Sequence, residues 1–461
     1  MTYLSTRGAA PQLSFDDVLL TGLAPDGGLY VPEVYPTLDP SVIEGLRGRP
    51  YIEVAEAVIR PFSPEGDFHL EDAYRSFAHP AVTPLVQTGA EDFLLELFHG
   101  PTLAFKDVAM QWLGPMFSSR LAAAGRRMTI VCATSGDTGG AAIEAMAGRE
   151  NISICVLHPN DAISNVQRRF MTTVEADNVL NLAVEGSFDD CQRLVKEMFA
   201  HDAFRQAVSL GAVNSINWAR IVAQTVYYVT SSLTLGGEGR PVSYCVPTGN
   251  FGDIFAGFVA KELGAPIGQL IVATNENDIL DRTLRTGRYE VTGVVKTQSP
   301  SMDIQVSSNF ERLIHAASGG DAELVTSLMG ALKQSGSFTL PDGVRARMAE
   351  DFLSFRVSEE AVSARMSKTF SETAMLVDPH TAVGLEAAAQ ARAEGLKGPL
   401  VTLSTAHPAK FPDAVKAATG REPSLPPGCR DLYSREERFE VIGADLESLE
   451  KRISTGFGTA E

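Results

Sequence analysis

Positive charge is scarce in this chain. Lysine and arginine number 39 against 57 aspartates and glutamates, a net charge of −18 over 461 residues. Nucleic acid and acidic membrane surfaces are therefore not expected as partners, because both repel so negative a surface. A local basic pocket for a small anion stays open. No stretch approaches the uninterrupted apolar length of a membrane span, and the N-terminal run Met1-Thr2-Tyr3-Leu4-Ser5-Thr6-Arg7 has no apolar signal-peptide core. Cysteine is sparse as well: Cys132, Cys155, Cys191, Cys245 and Cys429 form an odd set without metal-type spacing. Three of them, Cys132, Cys155 and Cys245, lie in apolar runs that read as strands. Reduced, buried thiols in a cytoplasmic protein are the expectation, and no metal site is proposed. Internal repeats and low-complexity tracts are absent.

What the chain does have is enough apolar content, 44%, to bury two or three domains. Apolar runs of strand length alternate with helical patterns: Met128–Ala133 before Gly140–Met146, Ile152–Leu157 before Ile163–Met171, and Val179–Val184 before Phe188–Phe199. The alternation recurs as Val242–Val246 before Ile254–Leu263, Leu270–Ala273 before Asp278–Arg285, and Leu400–Ser404 before Pro412–Ala418. Such alternation is the mark of βαβ units and parallel sheets. The fold class is therefore α/β, with two open, mostly parallel domains. Ahead of them stands a lead-in region of mixed pattern with the turn-forming run Leu23–Pro32. Residues 286 to about 398 read as mostly helical, and the tail after Pro427 as a peripheral element.

Candidate chemistry falls in loops that follow strands, where open α/β sheets place their ligands. The run Leu97-Phe98-His99-Gly100-Pro101-Thr102-Leu103-Ala104-Phe105-Lys106-Asp107 offers one lysine among Phe105, Leu103 and Ala104. That apolar setting disfavours the ammonium form. A lysine there can equally be a snorkelling side chain. Ser135-Gly136-Asp137-Thr138-Gly139 presents backbone N–H groups to an anion. Pro247-Thr248-Gly249-Asn250-Phe251-Gly252-Asp253 follows a strand and opens a helix, so it can cradle a phosphate at the positive helix end. Plain tight turns look the same, but the G-x-G-x-x-G spacing is absent, which makes a nicotinamide cofactor the lesser reading. Asn214-Ser215-Ile216-Asn217-Trp218-Ala219-Arg220 brings polar donors and an arginine to a helix start, suited to phosphate or carboxylate, or else serving only as a cap before a solvated arginine. Leu403–Phe411 ends a buried strand in hydroxyls that either face a ligand or cap the next helix. Pyridoxal phosphate accounts for the whole set: a lysine for the Schiff base, a glycine loop for the phosphate, and a neutral hydroxyl for the pyridine nitrogen.

These runs resemble the long form of the threonine synthases, pyridoxal-phosphate enzymes of the tryptophan-synthase-β fold, also termed fold type II. The likeness spans nearly the whole chain. It rests on Asp26–Pro32, His99–Asp107, Ser135–Gly139, Asn214–Arg220, Gly249–Asp253, Ser299-Pro300-Ser301-Met302-Asp303-Ile304, Ser308-Asn309-Phe310-Glu311-Arg312 and Ser404–Phe411. The resemblance implies a carbon–oxygen lyase acting on phosphates. It would turn O-phospho-L-homoserine and water into L-threonine and phosphate by γ-elimination and β-replacement, as the last step of threonine biosynthesis. Lys106 would bind the cofactor covalently and shuttle protons. Gly249, Asn250, Phe251, Gly252 and Asp253 would hold its phosphate, and Thr405 would face its pyridine nitrogen. Ser135, Thr138, Asn214, Ser215 and Arg220 would anchor the substrate's carboxylate and phosphate. Short forms of the family carry asparagine where Asp137 stands, which leaves the role of Asp137 open. Lys296 and Lys410 could add positive charge to the phosphate pocket, although surface placement is the commoner fate of a lysine. His99 and His407 read as hydrogen-bonded structural groups. The implied organisation is an N-terminal lead-in domain (1–97), a large cofactor-binding domain (98–122 with 205–430), a small α/β domain (123–204) and a tail (431–461). The chain would act as a monomer or homodimer. A dehydratase or phospho-lyase of the same fold, or a noncatalytic binding relative, are the alternatives.

Overall fold

The computed structural model describes residues 1–63, 66–134, 136–160, 163–237 and 239–458. The chain divides into two compact units. The first comprises Met1–Gly66, His79–His99 and Ser215–Pro423; the second comprises Asp67–Ala78, Gly100–Asn214 and Ser424–Glu461.

In the first unit the described residues form a six-stranded sheet. Its strand order is Phe352–Arg356, Ile267–Thr274, Val242–Pro247, Leu400–Ser404, Asp92–Glu96 and Leu85–Gln87. Five of these strands run parallel, and only Leu85–Gln87 is antiparallel to its neighbour. The central strands are continuous apolar runs because helices cover both faces. Val242–Pro247 and Leu400–Ser404 are buried along their whole length. The apolar core gathers Leu94, Cys245, Ile271, Ala273 and Leu400 from the strands with Ala382, Val383 and Ala387 from the helix Pro379–Ala393. Parallel strands put their C-terminal ends on one side, so the loops after Glu96, Pro247, Thr274 and Ser404 emerge together.

In the second unit a wholly parallel five-stranded sheet has the order Glu440–Gly443, Val179–Glu185, Ile152–Pro159, Met128–Ala133 and Leu210–Gly211. Its core joins Val131, Cys155, Leu157, Leu182 and Val184 to Leu194 and Met198 of the helix Phe188–Ala200, with Leu449 and Ile453 of the C-terminal helix. The loops after Ala133 and Gly211 leave neighbouring strands at one end of this sheet.

Every alternating strand read from the sequence is present, Met128–Ala133 and Leu400–Ser404 on the expected bounds. Two regions differ. The stretch read as mostly helical contributes Phe352–Arg356 to the first sheet, directly after the helix Asp342–Asp351. The tail supplies a strand, Glu440–Gly443, and a helix, Leu446–Phe457, to the second unit. No helix among the described residues is long and apolar enough to cross a membrane.

Candidate active site

In the second unit, Lys106 is the first residue of the helix Lys106–Ala123. The loop before it is shaped by Asp107, which is fully buried. Its Oδ1 accepts from Thr102 Oγ1 at 2.6 Å and its Oδ2 from the Thr102 backbone N–H at 2.8 Å. Position 100 must be glycine, because a Cβ there would lie 2.4 Å from the Cβ of Asp107. The lysine is mostly enclosed, its side chain 12% exposed, and its Nζ sits 5.2 Å from the Phe105 ring centroid. Its setting is less apolar than the sequence suggests, since Asp137 Oδ2 lies 3.8 Å from Nζ. Gln167 Nε2 donates to the other oxygen of Asp137 at 3.1 Å. Asp137 is thus the carboxylate partner of the lysine. The loop that carries it is tied by Thr134, whose Oγ1 accepts from the N–H groups of Gly136 and Gly139 at 3.0 and 2.9 Å. Thr138 is half-buried on the first turn of the following helix, and Asn214 is half-buried at the end of the neighbouring strand's loop. Ser135 lies outside the described residues.

The first unit carries the anion cradle. The strand Val242–Pro247 leads through Thr248–Phe251 into the helix Gly252–Glu262. Phe251 caps that helix in the left-handed region at φ 64°, a conformation that costs a non-glycine residue about 1 kcal/mol. Its ring is fixed by edge contact with Phe310 at 5.3 Å and by Phe352 at 5.7 Å. At Gly249 a Cβ would stand 2.7 Å from the Ser301 carbonyl oxygen, so a side chain is excluded. The first-turn N–H groups of a helix have no intrahelical acceptor and carry the positive end of its dipole, which suits a phosphate. Thr405, 6% exposed, follows the adjacent parallel strand, placing its hydroxyl at the same end of the sheet.

Arg220 is 4% exposed, on the first turn of the helix Trp218–Leu235. The alternative of a solvated arginine is therefore overturned, although Asn217 does cap the helix by accepting from the Ala219 N–H at 3.0 Å. Desolvation lowers the Arg220 pKa to about 10 against the attraction of Tyr227 and Asp253, and Nε has no hydrogen-bond partner. The Asp253 side chain turns to the same helix: its Oδ1 accepts from Tyr227 at 2.5 Å and from Tyr228 at 3.0 Å. Burial raises this carboxyl to about 6, opposed by both tyrosine hydrogen bonds and by Arg220. Ser215 contributes its carbonyl, which accepts from Asn309 Nδ2 at 3.0 Å, and its hydroxyl pairs with Ser308 at 3.3 Å. Lys410 is buried, contrary to its reading as a surface residue, whereas Lys296 is exposed. His99 pairs with Glu96 at 2.8 Å, and His407 Nδ1 accepts from the Ala409 N–H at 3.2 Å, both in structural roles.

The residues that brace the cradle carry no role in the sequence reading. Ser307 Oγ donates to the Gly249 carbonyl at 2.7 Å, and Asn309 donates to the Asn250 carbonyl through its backbone at 3.0 Å and its side chain at 2.9 Å. Arg312, fully buried, donates to the carbonyls of Tyr30 and Ile216 and to Asn309 Oδ1, and lies 5.4 Å from the Trp218 ring. The signal was the run Ser308–Arg312 itself, whose arginine shows no local partner in sequence.

A lysine at a helix start, a glycine-lined anion cradle and a strand-end hydroxyl are the groups that a pyridoxal phosphate needs. The sequence profile of pyridoxal-phosphate-dependent enzymes matches residues 78–329. The chain is a pyridoxal-phosphate-dependent enzyme. Residues 2–76 match the threonine synthase N terminus and 381–453 the threonine synthase C-terminal region. Threonine synthase of Pseudomonas aeruginosa is 49% identical over 98% of each chain, and that of Saccharomyces cerevisiae is 40% identical over 98% of this chain and 97% of its own. The crystal structure of pyridoxal-phosphate-bound threonine synthase from Brucella melitensis matches with a TM-score of 0.96 and 53% identity over 99% of each chain. The chain belongs to the threonine synthase family. Its residues fit the cofactor, since the first-turn N–H groups of the helix Gly252–Glu262 suit a phosphate and Lys106 supplies a mostly enclosed amine.

Proposed function

We propose that this enzyme converts O-phospho-L-homoserine and water to L-threonine and phosphate. The observation that carries the reading is Arg220, a buried guanidinium whose Nε has no partner. Burying a guanidinium with an N–H left open is costly, and a phosphate or carboxylate repays that cost by accepting from it. Ser135, Thr138, Asn214 and Ser215 complete the proposed anchoring of the substrate's two anionic groups. The N–H groups of Gly249–Asp253 receive the cofactor's phosphate, and the Thr405 hydroxyl meets its ring nitrogen. A neutral hydroxyl there leaves the ring less electron-withdrawing than a carboxylate partner would. When bound, pyridoxal phosphate supplies the electron sink that makes protons on the substrate's Cα and Cβ removable and lets the γ-phosphate leave. Lys106 would hold the cofactor covalently and, with its amine free, would move protons at the substrate's Cα and Cβ and at the cofactor's C4′. Asp137 orients that amine across 3.8 Å. The reading carries a cytoplasmic setting, supported by five unpaired cysteines.

The test is a product assay with O-phospho-L-homoserine that follows phosphate, threonine and 2-oxobutyrate together. Equal phosphate and threonine are expected. Lys106→Ala should lower both by roughly a thousandfold or more, the scale of a lost acid–base group that is also the covalent anchor. Phosphate with 2-oxobutyrate would assign the chain to the lyases, and no turnover by the loaded enzyme would sink the reading.

A further inference from the structure

The run Ser299–Ile304 has no part in the chemistry above, yet it touches the cradle. It is held on one side by Asp303, whose carboxylate accepts from Thr297 Oγ1 at 2.6 Å and from Asn275 Nδ2 at 2.8 Å. On the other side the Ser301 N–H points at His380 Nε2, 3.2 Å away. His380 opens the helix Pro379–Ala393, whose cap is Asp378, a fully buried carboxylate. One oxygen of Asp378 accepts from the His380 backbone N–H at 3.0 Å and from His380 Nδ1 at 2.7 Å. The other accepts from the Thr381 N–H at 3.1 Å and from the Thr381 hydroxyl.

This arrangement settles where the protons stand. A carboxylate cannot donate, so Nδ1 of His380 carries the ring proton and Nε2 is the acceptor that the Ser301 N–H requires. Likewise the Thr381 proton is committed to Asp378, so Ser404 Oγ donates to Thr381 Oγ1 across 3.1 Å. Phe411 fixes the imidazole edge-on at a centroid distance of 4.9 Å. From one carboxylate two chains of bonds run out. The first passes through His380 to Ser301, whose carbonyl faces Gly249. The second passes through Thr381 to Ser404, the residue before Thr405.

We propose that the cap formed by Asp378, His380 and Thr381 is a positioning unit for the bound cofactor, aligning its phosphate cradle through Ser301 and its ring-nitrogen contact through Ser404. The inference rests on the assignment of Gly249–Asp253 and Thr405 as cofactor contacts. It makes the two ends of the cofactor separately adjustable from a single helix cap, in the way that residues behind a site orient those that touch the ligand.

The experiment titrates pyridoxal phosphate into the full-length apoenzyme and records the phosphorus resonance and visible band of the loaded protein. His380→Ala should weaken cofactor affinity roughly tenfold, the equivalent of one buried N–H left without its acceptor, and shift the phosphorus resonance. His380→Gln, whose amide oxygen can accept from Ser301, should restore most of both. Thr381→Val should move the visible band while leaving the phosphorus resonance in place. A folded His380→Ala variant with parental affinity and resonance overturns the proposal. If that variant does not fold, Thr381→Val decides, and an unchanged band overturns it. Gly249→Ala separates the two assignments: parental cofactor affinity in that variant would sink the cradle itself, whatever the His380 variants show.

Discussion

Asp107 holds Thr102 from five residues away, whereas Asn309 holds Asn250 from 59 residues away and Arg312 holds Tyr30 from 282. The lysine loop and the anion cradle are both fixed in one geometry, but the first is held by its own near neighbours and the second by distant parts of the first unit. The lysine loop is a local turn closed by a buried carboxylate, and Thr134 closes the adjoining loop in the same manner within five residues. The cradle has too few side chains of its own to hold itself. Two of its five residues are glycine, and the Asp253 carboxylate is turned to the tyrosines of another helix. Its bracing must come from elsewhere, and a buried arginine serves because its fork reaches several carbonyls at once. A loop that must leave its N–H groups open to a ligand has little of its own left to tie it down.

The largest effect is expected from Arg312→Met. It removes the buried hydrogen bonds that Arg312 donates to the carbonyls of Tyr30 and Ile216, a cost of about 3 kcal/mol or more. Urea denaturation should show it, together with weakened cofactor binding. An effect as small as that of a surface substitution would erase the contrast between the two loops. Thr102→Val should cost less, about 1–2 kcal/mol, since one hydrogen bond to Asp107 is lost while the backbone bond remains. It should slow covalent capture of pyridoxal phosphate by Lys106, followed in the visible band, and leave the phosphorus resonance unmoved. A moved resonance would mean that the lysine loop is not locally held.

The smallest effect is expected from Asp253→Asn, and it depends on pH. The carboxyl is raised from 3.8 to about 6 by burial, so the folded chain binds a proton that the unfolded chain releases. This group's contribution therefore declines as pH rises from about 4 to about 6. Asparagine lacks that decline but can still accept from Tyr227 and Tyr228. Denaturant midpoints of variant and parent should accordingly shift in the variant's favour between pH 4.5 and 7.5, and a shift in the opposite sense would contradict the buried carboxyl.

Legibility followed the same division. Leu400–Ser404 and Met128–Ala133 were readable because a strand buried on both faces is an unbroken apolar run. Phe352–Arg356 was not, because it continues from Asp342–Asp351 without an intervening glycine or proline and is five residues long. Glu440–Gly443 was hidden for another reason: an edge strand with exposed Glu440 and Val441 shows no burial pattern. In the candidate site, Lys106, Gly249–Asp253 and Thr405 stood out because each sits where a strand-to-helix loop needs an explanation. Arg312 and His380 did not, because their partners Tyr30 and Ser301 are remote in sequence.

The sequence by itself determined the α/β class, the strands and helices of the central alternation and the loops that carry the chemistry, since all of these depend on apolar periodicity and on glycine, proline and capping residues close to one another. Tertiary structure alone decided that Asp137 faces Lys106, that Arg220 is buried, that Asp253 turns to the tyrosines, and that Arg312 and His380 stand behind the cradle. Those facts rest on pairings between distant segments, and a hydrogen bond across hundreds of residues leaves no periodic trace in the residues that make it.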